Sequence, residues 1–242
     1  MVTRSLPASA ALIEDLVAAN RILAMEGVLD AYGHVSARAE NRPGHFIMSR
    51  SLAPQLVNFD DLMEHGPDSE PLDDDRKPYL ERYLHGEIYR MRPDVMAVVH
   101  SHAETVVPFG ITRGKLRPVY HMASFLWSGV PVFEMRKVRE ESDLLVRDRQ
   151  TGEALAGTLG ACPCVLMRGH GMTVVGGSLP EAVFRAVYTM VNARLQLQAA
   201  QLEGPMEFLS EAEGRLATAT NSATVERPWQ LWKAKVAGKR AR

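Results

Sequence analysis

Apolar residues Leu12, Ile13, Leu16, Val17 and Leu23 recur at three- and four-residue steps, so residues 9 to 26 are expected to form a helix with one buried face. The run "GVLDAYGHVSARAENRPGHFIMSR" follows, two short strand-like stretches joined by a hairpin at Asn41–Gly44. Residues 58–76, "NFDDLMEHGPDSEPLDDDR", are acidic and rich in turn formers, which predicts an exposed loop leading into a helix over 77–91. "DVMAVVHSH" reads as a buried strand, "AETVVPFG" as a short helix and "GVPVFEM" as another short strand. "CPCVLMRGHGMTVVGG" predicts two strands joined at a tight Gly-His-Gly turn. Ser178-Leu-Pro-Glu181 has the form of a capping box with proline in the first turn. It opens a long helix to about residue 202, with Val183, Val187, Met190 and Val191 on its inward face, and a further helix starts near Ser210. Strands and helices mix without a regular βαβ rhythm. The expected fold is therefore α/β, one domain over residues 1–242 around a mixed, antiparallel-rich sheet, with residues 204–242 as a C-terminal helical extension.

Composition narrows the partners. The 242 residues are 46% hydrophobic and 24% charged, with 28 basic against 29 acidic side chains. A formal net charge of -1 gives no global field to recruit nucleic acid or an anionic membrane, so neither is expected as a partner. The basic tail "KAKVAGKRAR" is short enough to read as a frayed, solvated end. No stretch of about 18 uncharged apolar residues and no leader pattern is visible, which points to the cytoplasm. Cys162 and Cys164 stand too close, with a proline between them, for a structural disulfide, and they read as small buried thiols.

Chemistry gathers on a few positions. His100 and His102 are two apart at a strand end, where alternate side chains share a side, so both imidazoles would face one space. That spacing leaves two readings open, a polar strand end or a clamp on a shared cation. His170, between two glycines at a turn, has little packing to do and is the best candidate for a third ligand, although a solvated turn histidine would look the same. Glu81 is a fourth candidate. On spacing alone it and His85 also fit a surface pair four residues apart on a helix. Three imidazoles beside a carboxylate suit zinc, manganese, iron or cobalt without choosing among them.

Taken in order, "GHVSAR", "YLERYLHGEIYRMRPDVMAVVHSHA" and "LMRGHG" followed by a long helix resemble the class II aldolase/adducin family from about residue 10 to residue 203. The resemblance implies a three-layer α/β/α sandwich around a central, largely antiparallel sheet, assembled as a tetramer. It implies His100, His102 and His170 as ligands of a divalent metal ion and Glu81 as the catalytic carboxylate beside it. His121, in "VYHMASF", falls where the family's aldolases place a tyrosine that serves the neighbouring subunit as proton donor, and a packing histidine at an interface is the alternative.

Departures from the sugar-phosphate aldolases redirect the function. His34 stands in "GHVS" where those enzymes have asparagine, "MSRSLAP" places Ser49 and Arg50 where they have small residues, and Tyr79-Leu80 replaces a serine pair ahead of Glu81. A phosphate cradle needs hydroxyls and backbone N–H groups at close approach. An arginine suggests instead a carboxylate gripped by its planar fork. "YGHVSAR", "MSRSLAP" and "HMASFLWSGVPVFE" together are similar to the family's decarboxylase branch, which acts on hydroxylated aromatic, pyridine or ring-cleavage-derived carboxylic acids. The expectation is then a small carboxylic-acid substrate bound by Arg50, Ser49 and His34, with Glu81, its proton affinity raised by burial, or His121 as proton donor. A class II aldolase, epimerase or dehydratase on the same metal site is the alternative, and a non-catalytic adducin-like module a remote one. Trp229 and Trp232 lie outside every motif and are expected either to anchor the C-terminal segment or to lid the site.

Overall fold

The computed structural model describes residues 6–238, so residues 239–242 of the basic tail lie outside the described residues. Helix α1 runs Ala10–Met25, and the Ser9 side chain caps it by accepting from Leu12 N. Strands β1 (His34–Arg38) and β2 (Phe46–Ser49) form the expected antiparallel hairpin, closed where Ala39 N donates to His45 O. Gly44 in that connection has φ 82°, a backbone conformation that glycine reaches without cost.

The acidic segment 58–76 departs from the expected loop. Leu62–His65 forms a fully buried strand, β3, on the edge of the sheet beside β2. Its acidic context hid it, and the acids there are neutralised locally: Asp61 accepts from Arg50, and Glu64 from Arg42 and His45. The next helix, α2, spans only Arg82–Met91. Glu81 sits just ahead of it at φ -90°, ψ 19°, so Glu81 and His85 do not form the surface pair that helical spacing suggested. His85 is fully buried instead.

Strand β4 (Ala97–Ser101) follows, then the short helix α3 (Val107–Ile111) and the two-residue β5 (Val132–Phe133). Helix α4 (Arg149–Leu159), capped by Asp148, was not anticipated. Gly152 and Gly157 dilute its apolar pattern, yet Gly152 is what lets it pack, because a Cβ there would stand 2.8 Å from Tyr83 O of α2. Strands β6 (Cys164–Met167) and β7 (Gly171–Gly176) flank the predicted turn, and α5 (Leu179–Ala199) opens on the expected Ser178 cap. Val183 and Val187 of α5 are buried, whereas Met190 and Val191 are only partly so. The inward row runs on through Asn192 and Gln196, whose amides bond the backbone of Lys115, Arg117 and Val119. Helices α6 (Glu211–Ser222) and α7 (Glu226–Gly238) complete the order.

Seven strands make one sheet in the order β3-β2-β1-β4-β7-β6-β5, antiparallel throughout except for the parallel β5–β6 pair. Period-two alternation gives the sheet two apolar faces. Val35, Ala37, Ile47, Ala97, Val99 and Val174 pack under α1, α5 and α7, while Phe46, Met48, Val98, Val165 and Val175 pack under α2 and α4. The result is the expected three-layer sandwich. Trp229 and Trp232 of α7 are buried in the first of these layers, so they anchor the helix rather than lid the site, which lies toward the other face. Both cysteines are free thiols, Cys164 buried and Cys162 half-buried. Among the described residues no helix is long and apolar enough to cross a membrane.

Candidate metal centre and active-site cavity

Antiparallel pairing brings the start of β1, the end of β4 and the start of β7 to one rim of the sheet. His34 pairs with His100, and Ser101 pairs with Met172 just beyond the turn that carries His170. His100 points to the α2 face, and His102 follows one residue past the strand. Gly171 is required here, because a Cβ on it would stand 2.0 Å from Ser101 O and 3.0 Å from His102 Cα. His102 Nε2 lies 3.3 Å from His100 Nε2 and 3.1 Å from His170 Nε2. Glu81 Oε2 is 3.4 Å from His100 Nε2 and 3.6 Å from His170 Nε2, and one ligand atom from each of the four lies within 4.8 Å of the others.

The opposite ring nitrogens decide what these atoms can do. His170 Nδ1 is 3.1 Å from Leu144 O, and a carbonyl only accepts, so Nδ1 carries the hydrogen. His102 Nδ1 likewise donates to Asp30 Oδ2 at 3.0 Å. With Nδ1 as the donor, each ring turns its Nε2 toward the common point, where a lone pair can serve an ion. Two lone pairs 3.1 Å apart repel unless a cation lies between them, and burial together with neighbouring His100 pushes His170 down to about 4, so His170 does not supply a bridging proton at neutral pH. Three imidazole nitrogens and a carboxylate oxygen fit a divalent ion. Leu144 reaches His170 from φ 69°, a left-handed conformation that a branched side chain adopts at some cost in strain.

Charge in the centre differs from expectation at Glu81. Burial by itself would raise its proton affinity, but His100, then His170 and His34, outweigh that and hold the carboxyl well below its ordinary value. Glu81 is thus a carboxylate, further fixed by Val146 N donating to Oε1 at 3.0 Å, and not the neutral acid that burial alone predicted. His34 is neutral, since burial and then the adjacent His85 and His100 lower it well below 6.5.

A cavity of about 370 Å³ opens over Glu81 and His102. Tyr32, Leu52, Ala53, Tyr79, Leu80 and Leu145 form most of its wall, with His34 and Ser51 as further polar groups. Of the sequence candidates, His34, Glu81 and His102 line it, and His100 and His170 complete the cluster. Ser49 is buried at the end of β2, and Arg50 Nε is bound to Asp61 Oδ1 at 2.8 Å; neither lines the cavity. The Arg50 guanidinium pairs with Asp61 and is not part of the cavity wall. His121 is exposed in one chain, its carbonyl accepting from Asn221, and it does not line the cavity either.

Asp30, Leu144, Ser51 and the residues behind His34 escaped the sequence reading. Asp30 stands four residues ahead of His34, and nothing local in "DAYGH" marks it as the partner of a ring 72 positions away.

A half-buried centre of three histidines and one carboxylate that could hold a metal ion thus sits on the rim of an antiparallel-rich α/β/α sandwich. Residues 14–197 match the family described as Class II Aldolase and Adducin N-terminal domain, and this chain belongs to that family. It is 42% identical over 94% of both chains to the decarboxylase tropJ of Talaromyces stipitatus. It is 30% identical, over 83% of each chain, to a 3,4-dihydroxyphthalate decarboxylase of Arthrobacter keyseri. An aldolase II superfamily protein from Pseudomonas syringae shares its fold with a TM-score of 0.82 at 22% identity, over 98% of this chain and 96% of the other.

Proposed function

We propose that this protein is a divalent-metal-dependent decarboxylase of a hydroxylated aromatic, or related cyclic, carboxylic acid in the breakdown of aromatic compounds. The observation that carries the reading is the cavity over the histidine cluster. Apart from His34, Ser51, Glu81 and His102 its wall is apolar and aromatic, with no lysine or arginine among the described residues, which suits a flat ring and not a sugar phosphate. The similarity to proteins named as decarboxylases over nearly the full length supports the same reaction.

His100, His102 and His170, with Glu81 beside them, would hold the ion, which supplies a Lewis acid for the negative charge that develops on a substrate oxygen as carbon dioxide departs. Tyr32, Tyr79 and the leucines orient the ring and exclude water. As a standing carboxylate, Glu81 balances the ion's charge. The proton that replaces the carboxylate on carbon then falls to His121, brought by a second copy of the chain. This reading takes residues 1–242 as one domain with 204–242 as a helical extension. The chain acts as a cytoplasmic homotetramer on a small carboxylic acid, without nucleic-acid or membrane partners.

The test is a carbon-dioxide release screen of hydroxyphthalates, pyridine dicarboxylates and carboxymuconates with Mn2+, Co2+, Fe2+ and Zn2+ in turn. Release that depends on the metal and is lost with chelator is the expected result. Adduct formation from dihydroxyacetone phosphate and an aldehyde, without carbon dioxide from any acid, would replace this reading with the aldolase one.

A further inference from the structure

Behind His34 a chain of buried hydrogen bonds leads away from the cavity. His34 Nδ1 is 2.7 Å from His85 Nε2, His85 Nδ1 is 2.6 Å from Ser36 Oγ, and Ser36 Oγ is 2.8 Å from Tyr89 Oη. All four side chains are buried. His34 lines the cavity, and among the described residues no hydrogen-bond partner is found for its Nε2.

We propose that His85, Ser36 and Tyr89 are positioning residues that fix His34 in the tautomer with the hydrogen on Nε2, so that the cavity holds a preset N–H donor for an accepting substrate oxygen. The choice of that oxygen rests on the decarboxylase reading, whereas the tautomer does not.

Each link has room for one hydrogen, so two arrangements use Ser36 as both donor and acceptor, while a Ser36 that accepted from both His85 and Tyr89 would leave its own hydrogen without an acceptor among the described residues. In the first, Tyr89 donates to Ser36, Ser36 to His85 Nδ1, and His85 Nε2–H to His34 Nδ1, which leaves the His34 hydrogen on Nε2. In the second every link reverses: His34 donates inward, Ser36 donates to Tyr89, and the Tyr89 hydroxyl hydrogen must find another acceptor. Among the described residues the Tyr89 hydroxyl has no hydrogen-bond acceptor other than Ser36 Oγ. The reversed chain therefore strands a buried O–H, whereas the first arrangement uses every hydrogen.

The donor has a defined limit. For His34 to give its Nε2 hydrogen away and be refilled from behind, Tyr89 would have to become a buried phenolate, and burial pushes that hydroxyl strongly upward. His34 thus shares its hydrogen with the substrate without releasing it. A fixed donor in the cavity favours the state in which charge has built up on the accepting oxygen, so its contribution falls on kcat. Substrates that present a carbonyl, carboxylate or phenolate oxygen at this point are favoured over analogues lacking it.

The experiment is nitrogen NMR of histidine-labelled, zinc-loaded full-length protein, with His34→Gln identifying the His34 signals. The expected spectrum shows a protonated Nε2 and an unprotonated Nδ1 on His34, and a protonated Nε2 on His85. Tyr89→Phe and Ser36→Ala should each convert His34 to a mixture of tautomers and lower kcat roughly tenfold, the worth of one buried hydrogen bond, with KM changed by less than about twofold. A His34 hydrogen on Nδ1 in the wild-type protein would overturn the inference, whatever the activity. So would variants that leave both tautomer and kcat unchanged. An Nε2 hydrogen in a protein that releases no carbon dioxide from any acid would uphold the positioning chain and refute only the decarboxylase reading.

Discussion

Asp30→Asn isolates the support of one metal-facing histidine. Asp30 accepts three hydrogens on two oxygens: Oδ1 takes Tyr32 N at 2.8 Å and Gly33 N at 2.9 Å, and Oδ2 takes His102 Nδ1 at 3.0 Å. Burial alone would raise its carboxyl, but the N–H of Tyr32, then His102 and Gly33, hold it below its ordinary value. Asparagine has the same shape and only one acceptor oxygen. If that oxygen stays on the turn, the amide NH2 meets His102 Nδ1–H, donor against donor. The ring then moves its hydrogen to Nε2, the atom that must stay free for an ion. If the oxygen turns to His102, the two backbone donors ahead of His34 lose their acceptor and the cavity wall loosens. Loss of such an outer partner weakens metal binding by about 10- to 100-fold, or about 1.4–2.7 kcal/mol. The assay is competition for Zn2+ or Mn2+ against a chelator of known affinity, with thermal melting in saturating metal as a second readout, since the ion's stabilisation falls by the same amount. Binding within about twofold of wild type would refute the argument, because hydrogen bonds to a half-exposed carboxylate would then carry no orienting work.

His170→Ala removes one lone pair from the centre and should abolish stoichiometric metal binding, checked by elemental analysis after dialysis. Gly171→Ala drives a Cβ into Ser101 O and His102 Cα, so it should weaken metal binding as well as lower the melting temperature, unlike a remote core change. Arg50→Ala breaks only a part-exposed pair with Asp61, so stability should fall by less than about 1 kcal/mol with KM unchanged; a tenfold rise in KM would restore Arg50 to the site. His65 is buried against Phe46, its proton affinity lowered to about 4 by burial and then by Arg82. Because its folded value lies below 6.5, the unfolded chain takes up the proton first. Stability is then present above pH 6.5 and is lost as pH falls toward about 4, by up to about 3 kcal/mol. His65→Phe should flatten that segment of a urea-midpoint against pH profile.

The sheet was legible wherever alternation was clean. β1, β4, β6 and β7 each declare one or two apolar faces, and the Ser9, Ser178 and Ser210 caps mark helices that did form. β3 was not legible because four residues between acidic turns are too few to show a period, and the partners that neutralise Asp61 and Glu64 lie up to 22 residues away. α4 was hidden by the glycine that lets it approach α2. The site divides the same way. Its metal-facing histidines sit in recognisable strand ends and turns. Asp30 and His85 do their work 72 and 51 residues along the chain from the rings they touch, so no local pattern contains them.

The division has a physical cause. Burial makes the middle of most strands apolar on both faces, Ser36 of β1 and Thr173 of β7 excepted, since α1, α5 and α7 cover one side and α2 and α4 the other. Polar chemistry is left to strand ends, where a side chain keeps one apolar neighbour and one opening to water. A single strand shows that its end is polar and does not show which other ends share its rim. Antiparallel order decides that: it sets His34 beside His100, and the turn after β6 beside the end of β4. Arg50 shows the consequence of reading one end in isolation. It sits at the correct rim, next to Ser51 of the cavity wall, yet β3 pairs beside it and its guanidinium meets Asp61, the residue just ahead of that strand. An edge strand that the sequence concealed thus accompanies a carboxylate partner for the arginine that the sequence assigned to substrate.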